Sequence, residues 1–223
     1  VLYRTLELTL APALRAVYRP LVTGAEHIPA TGPVILAANH QSFVDEFFIP
    51  LGARRQVFYF AKAEYFTAPG VRGRAMAAFF HGMGQVSVER SDPRSAAAVI
   101  DVGVEVLSEG KALGIFPEGT RSPDGRLYRF RTGVGRPALP SGAPVVPVGL
   151  VGTRDVQPPG SHWWHRAPVE VHFGAALQFG DLRERERSAR VLREVTDTIR
   201  GRIQGLCGQE PVDSYASSMK IAE

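Results

Sequence analysis

The feature that most constrains this chain is an alternation of two periodicities. Short apolar or alternating runs at 34–38, 56–60, 85–88, 112–116, 145–150 and 169–173 have strand length and are rich in β-branched and aromatic residues. Helical patterns lie between them. Asp92-Pro93 marks a helix start, since Asp caps free N–H groups and Pro suits the first turn. Ala96, Val99, Ile100, Gly103, Val106 and Leu107 follow helical spacing from there, and Gly110 supplies the stop. Ala189, Leu192, Val195, Ile199, Ile203 and Leu206 mark a further helix. Its Glu186–Arg190 and Arg193–Asp197 pairs, four apart, belong to an ordinary solvated face. Such alternation predicts an α/β fold, a central, mainly parallel β-sheet flanked by helices. With 223 residues, 44% of them apolar, the chain can bury one sizeable core, and a net charge of +4 is too small for a disordered chain.

Three segments are expected: 1–24, 25–208 and a polar tail, 209–223, that reads as loosely held. In the first, Leu2, Leu6, Leu10, Ala13, Leu14, Val17 and Leu21 project onto an arc of ~120° at helical spacing. Arg4, Arg15 and Arg19 fall opposite, as in a helix lying at a membrane surface. Leu8 interrupts the polar face, and Pro12 is expected to kink or split the helix. Packing of the same face on the domain core is the other reading. No apolar run reaches the roughly 18 residues of a spanning helix, and the first residues lack a signal-peptide pattern. A single cysteine, Cys207, excludes an intramolecular disulfide framework and a cysteine zinc site, and suggests a reducing compartment.

Of the 26 basic residues only Lys62, Lys111 and Lys220 are lysines. Arginine's planar fork suits phosphate, whether on nucleic acid, a substrate or an anionic membrane. Codon bias is an equally good source of the arginines.

Three short segments carry candidate chemistry. Asn39-His40-Gln41-Ser42-Phe43-Val44-Asp45 directly follows the first of the central strands. On a continuous helix His40 and Asp45 would lie about 140° apart and could not meet. A turn before a helix starting near Ser42 lets His40 fold back onto Asp45. The carboxylate would then fix the tautomer, and the other ring nitrogen would serve as a base. Ser42-x-x-Asp45 is also a variant of a helix capping box, so a purely structural reading stands beside this one. Phe116-Pro117-Glu118-Gly119-Thr120-Arg121-Ser122 follows another strand and offers a carboxylate, a glycine, a hydroxyl and a guanidinium. Strand ends are where open α/β sheets bind ligands. Gly84-Gln85-Val86-Ser87-Val88-Glu89-Arg90 delivers an arginine at a strand end. His162-x-x-His165, with Trp163 and Trp164 between, lacks a carboxylate at metalloprotease spacing and reads as a loop touching membrane or core.

In this order the segments resemble the glycerolipid acyltransferases, most closely the 1-acylglycerol-3-phosphate (lysophosphatidic acid) acyltransferase family. Asn39, His40, Ser42 and Asp45 match its N-H-x-S-x-x-D block. Gly84, Val86, Val88 and Arg90 match the second block, and residues 116–122 match F-P-E-G-T-R-S without exception. Val145, Val146, Pro147 and Val148 match the fourth, while Ser87 and Glu89 depart slightly from the usual pattern. Lys62-Ala63-Glu64 and the stretch from Asp124 to Gly133 are also similar, so the resemblance covers roughly 25–175.

The resemblance implies an acyltransferase domain over 25–208 that moves an acyl group from a thioester, on coenzyme A or acyl carrier protein, to a phosphate-bearing glycerolipid hydroxyl. His40 would be the general base and Asp45 its orienting partner. Lys62, Arg90 and Arg121 would hold the acceptor phosphate, and Glu118, Gly119 and Thr120 would shape the acceptor site. No metal and no cofactor beyond the thioester co-substrate is expected, and no nucleic acid. The expected place is the cytoplasmic face of a membrane, peripherally bound. Glycerol-3-phosphate or another lysolipid would serve the same chemistry, and a non-catalytic binder of anionic lipid or nucleic acid is the rival from another class.

Overall fold

The computed structural model describes residues 2–82, 84–88, 93–185 and 188–219. Its strands are β1 (Leu21–Thr23), β2 (Val34–Ala38), β3 (Val57–Lys62), β4 (Gln85–Val88), β5 (Ala112–Ile115), β6 (Val145–Val151) and β7 (Glu170–Phe173). They form one sheet in the order β1-β7-β6-β2-β5-β3-β4, in which only β6–β7 is antiparallel. The mainly parallel α/β architecture is therefore the one expected. The three-residue β1 is an addition, too short to leave a periodic signal.

The helices are α1 (Leu2–Tyr18), α2 (Asp45–Ala53), α3 (Glu64–Thr67), α4 (Gly70–Gly82), α5 (Pro93–Ser108), α6 (Gly135–Ser141), α7 (Thr153–Val156) and α8 (Ala189–Cys207). The run Val-Ile-Leu-Ala-Ala of β2 is buried throughout because both faces of the sheet are covered. Val34, Leu36 and Ala38 point into a core shared with α1 and α2, through Leu14, Phe48 and Ile49. Ile35 and Ala37 point into the opposite core with α5, α6 and α8, through Leu107, Leu139 and Ile199. Leaving β2, the chain enters α2 on one face; α5, which precedes β5, and α6, which follows it, lie on the other. The loops after the neighbouring strands β2 and β5 thus diverge and leave a crevice at their C-terminal ends.

Three expectations are modified. Pro12 lies within α1 without dividing it. The apolar arc of that helix is shared between environments. Leu14 is buried and Leu10 partly buried against the core, and Tyr18 meets Phe48 edge-on at 5.4 Å. Val17 (47% exposed) and, beyond the helix, Leu21 (54%) face outward. The segment 209–219 is also held more firmly than a loose tail. Leu127 N–H donates to Glu210 O and Val212 N–H to Leu127 O, at 2.9 and 2.8 Å, and Arg129 N–H donates to Ser214 O at 2.9 Å. Within the segment Ala216 is buried. The bonds are backbone bonds to a distant loop, which a polar composition does not reveal.

Candidate active site

Strands β2 and β5 pair in parallel with Ala37 opposite Ile115. Three residues further along each chain stand His40 and Glu118, so the register alone brings the two loops level. His40 N–H donates to Glu118 Oε1 at 3.0 Å, and Ser122 N–H returns a bond to His40 O at 2.8 Å. Asn39 ends the strand in another way. Its amide accepts from Leu150 N–H at 2.7 Å and donates to Leu150 O at 2.9 Å, replacing the ladder with β6 where the backbone turns away. It also donates to Gln209 Oε1 at 2.8 Å, and Gln209 in turn donates to Gly125 O. The C-terminal segment therefore braces both loops from behind.

The His40 side chain folds back onto the first residue of α2. Its Nδ1 lies 2.9 Å from Asp45 Oδ2, which also accepts Gln41 N–H at 2.7 Å and Ser42 N–H at 2.9 Å. Asp45 is wholly buried at a helix N-terminus, where backbone dipoles favour a carboxylate. Its Oδ1 has no hydrogen-bond partner among the described residues. With a carboxylate accepting at Nδ1, that nitrogen carries the proton and Nε2 keeps a lone pair. Half of the expected capping box is present, Asp45 reaching back to Ser42 N–H. The Ser42 hydroxyl does not cap α2; it donates to Gln157 O at 2.9 Å, and the helix begins at Asp45 rather than near Ser42. The imidazole also stacks on Phe116 at 3.9 Å between centroids, and Phe116 on Tyr59 at 5.7 Å. Tyr59 lies so close over Gly114 that a Cβ there would sit 2.1 Å from its ring.

Glu118 ties the loops together from the inside. Fully buried, it accepts His40 N–H at Oε1 and Tyr128 N–H at Oε2, the latter at 3.1 Å. Burial pushes its carboxyl up to about 7; the two N–H donations pull the other way. The neighbouring Gly119 needs its left-handed φ of 77°, which glycine adopts without strain. Gly119, Thr120 and Arg121 line a cavity of about 710 Å³ together with His40. Its walls continue over Phe43, Tyr59, Phe80 and Phe116. Burial, with Glu46 and Asp45 nearby, pushes the Tyr59 hydroxyl well up.

The structure thus brings together His40, Asp45, Gly119, Thr120 and Arg121. It sets Glu118 between the loops, outside the cavity lining. Lys62 ends β3, in register with Val88; its side chain, and Arg90 altogether, lie outside the described residues. Two residues with supporting roles escape sequence reasoning. Arg154 donates to Ser122 O and Pro123 O at 2.9 and 2.7 Å, clamping the loop after β5, and Gln209 braces that loop further on through Gly125 O. Neither had a local signal, because each acts across more than 30 positions.

A carboxylate-oriented imidazole opening into a cavity at the crevice of an α/β sheet is an arrangement chemically able to take a proton from a bound hydroxyl or water. The family model described as Acyltransferase matches residues 19–151, more than half of the chain. The chain belongs to the Acyltransferase family. A chloroplastic 1-acyl-sn-glycerol-3-phosphate acyltransferase of Brassica napus is 37% identical over 145 residues, 65% of this chain and 40% of that protein. One from Arabidopsis thaliana is 37% identical over the same share of this chain and 39% of its own length. The match thus spans about two-fifths of these plant relatives. The crystal structure of the 1-acyl-sn-glycerophosphate (LPA) acyltransferase PlsC from Thermotoga maritima superposes with a TM-score of 0.63 at 26% identity, covering 90% of this chain and 80% of that one.

Proposed function

We propose that this protein transfers an acyl group from a thioester, of coenzyme A or acyl carrier protein, to the free hydroxyl of lysophosphatidic acid, giving phosphatidic acid. The observation that carries the reading is the 2.9 Å contact of His40 Nδ1 with buried Asp45, which leaves Nε2 as the free basic nitrogen of a side chain that lines the cavity. Nε2 takes the hydroxyl proton as the oxygen attacks the thioester carbonyl, and returns it to the departing thiolate. Asp45 stabilises the imidazolium in between. Arg121, exposed at the cavity wall, meets the acceptor phosphate; Lys62 and Arg90 are proposed as its companions. The acceptor hydroxyl attacks directly. The one hydroxyl beside His40 in sequence, on Ser42, is buried and donates to a carbonyl, and the Cys207 thiol sits at the far end of α8. The enzyme works at a membrane surface, on the cytoplasmic side. No helix among the described residues is long and apolar enough to cross a bilayer.

The test is one acyl thioester offered with a panel of acceptors: lysophosphatidic acid, glycerol-3-phosphate, and lysolipids with and without a terminal phosphate. Turnover is expected to be highest with lysophosphatidic acid, with intersecting double-reciprocal lines and no protein-bound acyl group. Arg121→Ala is expected to raise KM for the phosphorylated acceptor by roughly 10- to 100-fold and to leave KM for the donor nearly unchanged, the cost of one charge-assisted contact. Equal turnover on acceptors lacking phosphate would defeat the acceptor assignment, and a trapped acyl-enzyme would defeat direct transfer.

A further inference from the structure

The loop that follows α7 presents large aromatic surface to solvent at the edge of the cavity. Trp163 is 81% exposed and Trp164 36%. The loop is nevertheless well held. His165 N–H donates to Val156 O at 2.7 Å, Ser161 N–H to Pro158 O at 3.0 Å, and the Gln157 amide to Ser161 O at 3.1 Å. Gly160, Ser161 and His162 line the same cavity as His40. A tied-down loop that leaves an indole in water sacrifices burial of the largest apolar side chain available, which calls for a partner.

The apolar surface does not stop at the loop. Trp164 meets Phe47 edge-on at 5.4 Å, and Phe47 meets Phe43, itself 37% exposed, at 5.5 Å. Phe47 also walls a second groove, of about 340 Å³, between α1 and α2, lined by Leu10 and Leu14. Phe79 of α4, beside the cavity-lining Phe80, is exposed as well. Along the loop itself the one formal charge at neutral pH is that of Arg166. His162, His165 and Arg166 are exposed, and no Asp or Glu occurs from 156 to 169. An amphipathic ring beside an arginine, on a loop segment without Asp or Glu, matches the headgroup level of a bilayer, where indoles concentrate and lipid phosphates supply the counter-charge.

We infer that the 157–166 loop is a surface through which this protein docks on a lipid bilayer, Trp163 and Trp164 entering the boundary between headgroups and acyl chains. The cavity then opens onto the membrane, and a lipid acceptor reaches His40 without crossing water. The inference rests on the proposed function for its choice of a lipid partner, but its test does not depend on turnover.

The chain holds only two tryptophans, both in this loop, so tryptophan emission of the full chain reports on this loop alone. The probe is vesicles of phosphatidylcholine with about one-third phosphatidylglycerol, with and without brominated acyl chains. Vesicles are expected to shift the emission to the blue, and brominated chains to quench it. Trp163→Ala is expected to weaken vesicle binding in sedimentation by roughly 10-fold, the worth of withdrawing one indole from the interface. Its melting temperature and its turnover on water-soluble short-chain substrates should match the parent. Emission unmoved by vesicles overturns the docking surface even if acyl transfer is robust. An emission shift that depends on protein concentration without vesicles assigns the surface to a second copy and also overturns it. Quenching by brominated lipid without acyl transfer to any acceptor sustains the docking surface and defeats the proposed function instead.

Discussion

His40→Ala is expected to abolish acyl transfer, with kcat falling by at least ~10²- to 10⁴-fold, the usual worth of a positioned base, while the protein stays folded. The second half of that expectation follows from the local bonding. His40 is one of three donors to Asp45 Oδ2, and the N–H groups of Gln41 and Ser42 remain when the imidazole is removed. The buried carboxylate keeps its partners, so the loop has no reason to open. The His40 backbone bonds to Glu118 and Ser122 do not involve the ring. Asp45→Asn is a less clean change. It should lose activity comparably, because an amide no longer dictates the tautomer or balances an imidazolium, but it also disturbs an acceptor of three bonds and should melt lower. Turnover under saturating substrates, measured beside a circular dichroism melt, checks both variants. A folded His40→Ala protein with near-parental kcat would remove His40 from the mechanism.

The second large effect is expected at Glu118, through architecture. Glu118→Ala leaves the N–H groups of His40 and Tyr128 buried without an acceptor. At about 1–3 kcal/mol for each orphaned group, the loss is roughly 2–6 kcal/mol, a large part of a typical domain stability. The melting temperature should fall by about 5–20 °C, and activity should fall with it, since the bond to His40 N–H holds the base in place. Glu118→Gln keeps the side-chain shape and one of the two acceptors while removing the titration; the N–H that then faces its amide NH2 loses its partner, a cost that does not vary with pH. The folded carboxyl is raised from 4.5 to about 7 by burial. Between those values the folded state holds a proton that the unfolded chain has lost. Stability from this group is therefore complete below about pH 4.5 and is lost as pH rises through about 7, on the order of 3 kcal/mol in all. Relative to Glu118→Gln, the parent should lose melting temperature between pH 5 and 7. Parallel curves for the two proteins would show that Glu118 does not titrate in that range.

Much of the fold was legible because its signals are local. Strand and helix periods are properties of neighbouring residues, and the runs at 34–38 and 85–88 coincide with β2 and β4 residue for residue. The pairing of His40 with Asp45 was legible for the same reason, being five positions long. Glu118 shows the limit. Its residue type and motif suggested a place at the acceptor, but its environment is a buried crossing between two loops, which no sequence pattern within either loop describes. The 209–219 segment is similar: polar by composition, yet bound by backbone groups to 127–129. The Ser42 hydroxyl was expected at a cap, and a carbonyl 115 positions away claims it instead.

By itself, then, the sequence determined the alternation of strands and helices and the chemistry available in each loop, since both depend on side-chain type and short-range spacing. Only the tertiary structure decided which loops meet. Placing β5 beside β2 with Ala37 opposite Ile115 brings His40 and Glu118 within 3.0 Å across 78 positions. Strand order and register arise from burying both faces of the whole sheet at once, a condition summed over every element. One residue of slip would exchange the side chains facing the two cores, and the level placement that allows the His40–Glu118 crossing would be lost.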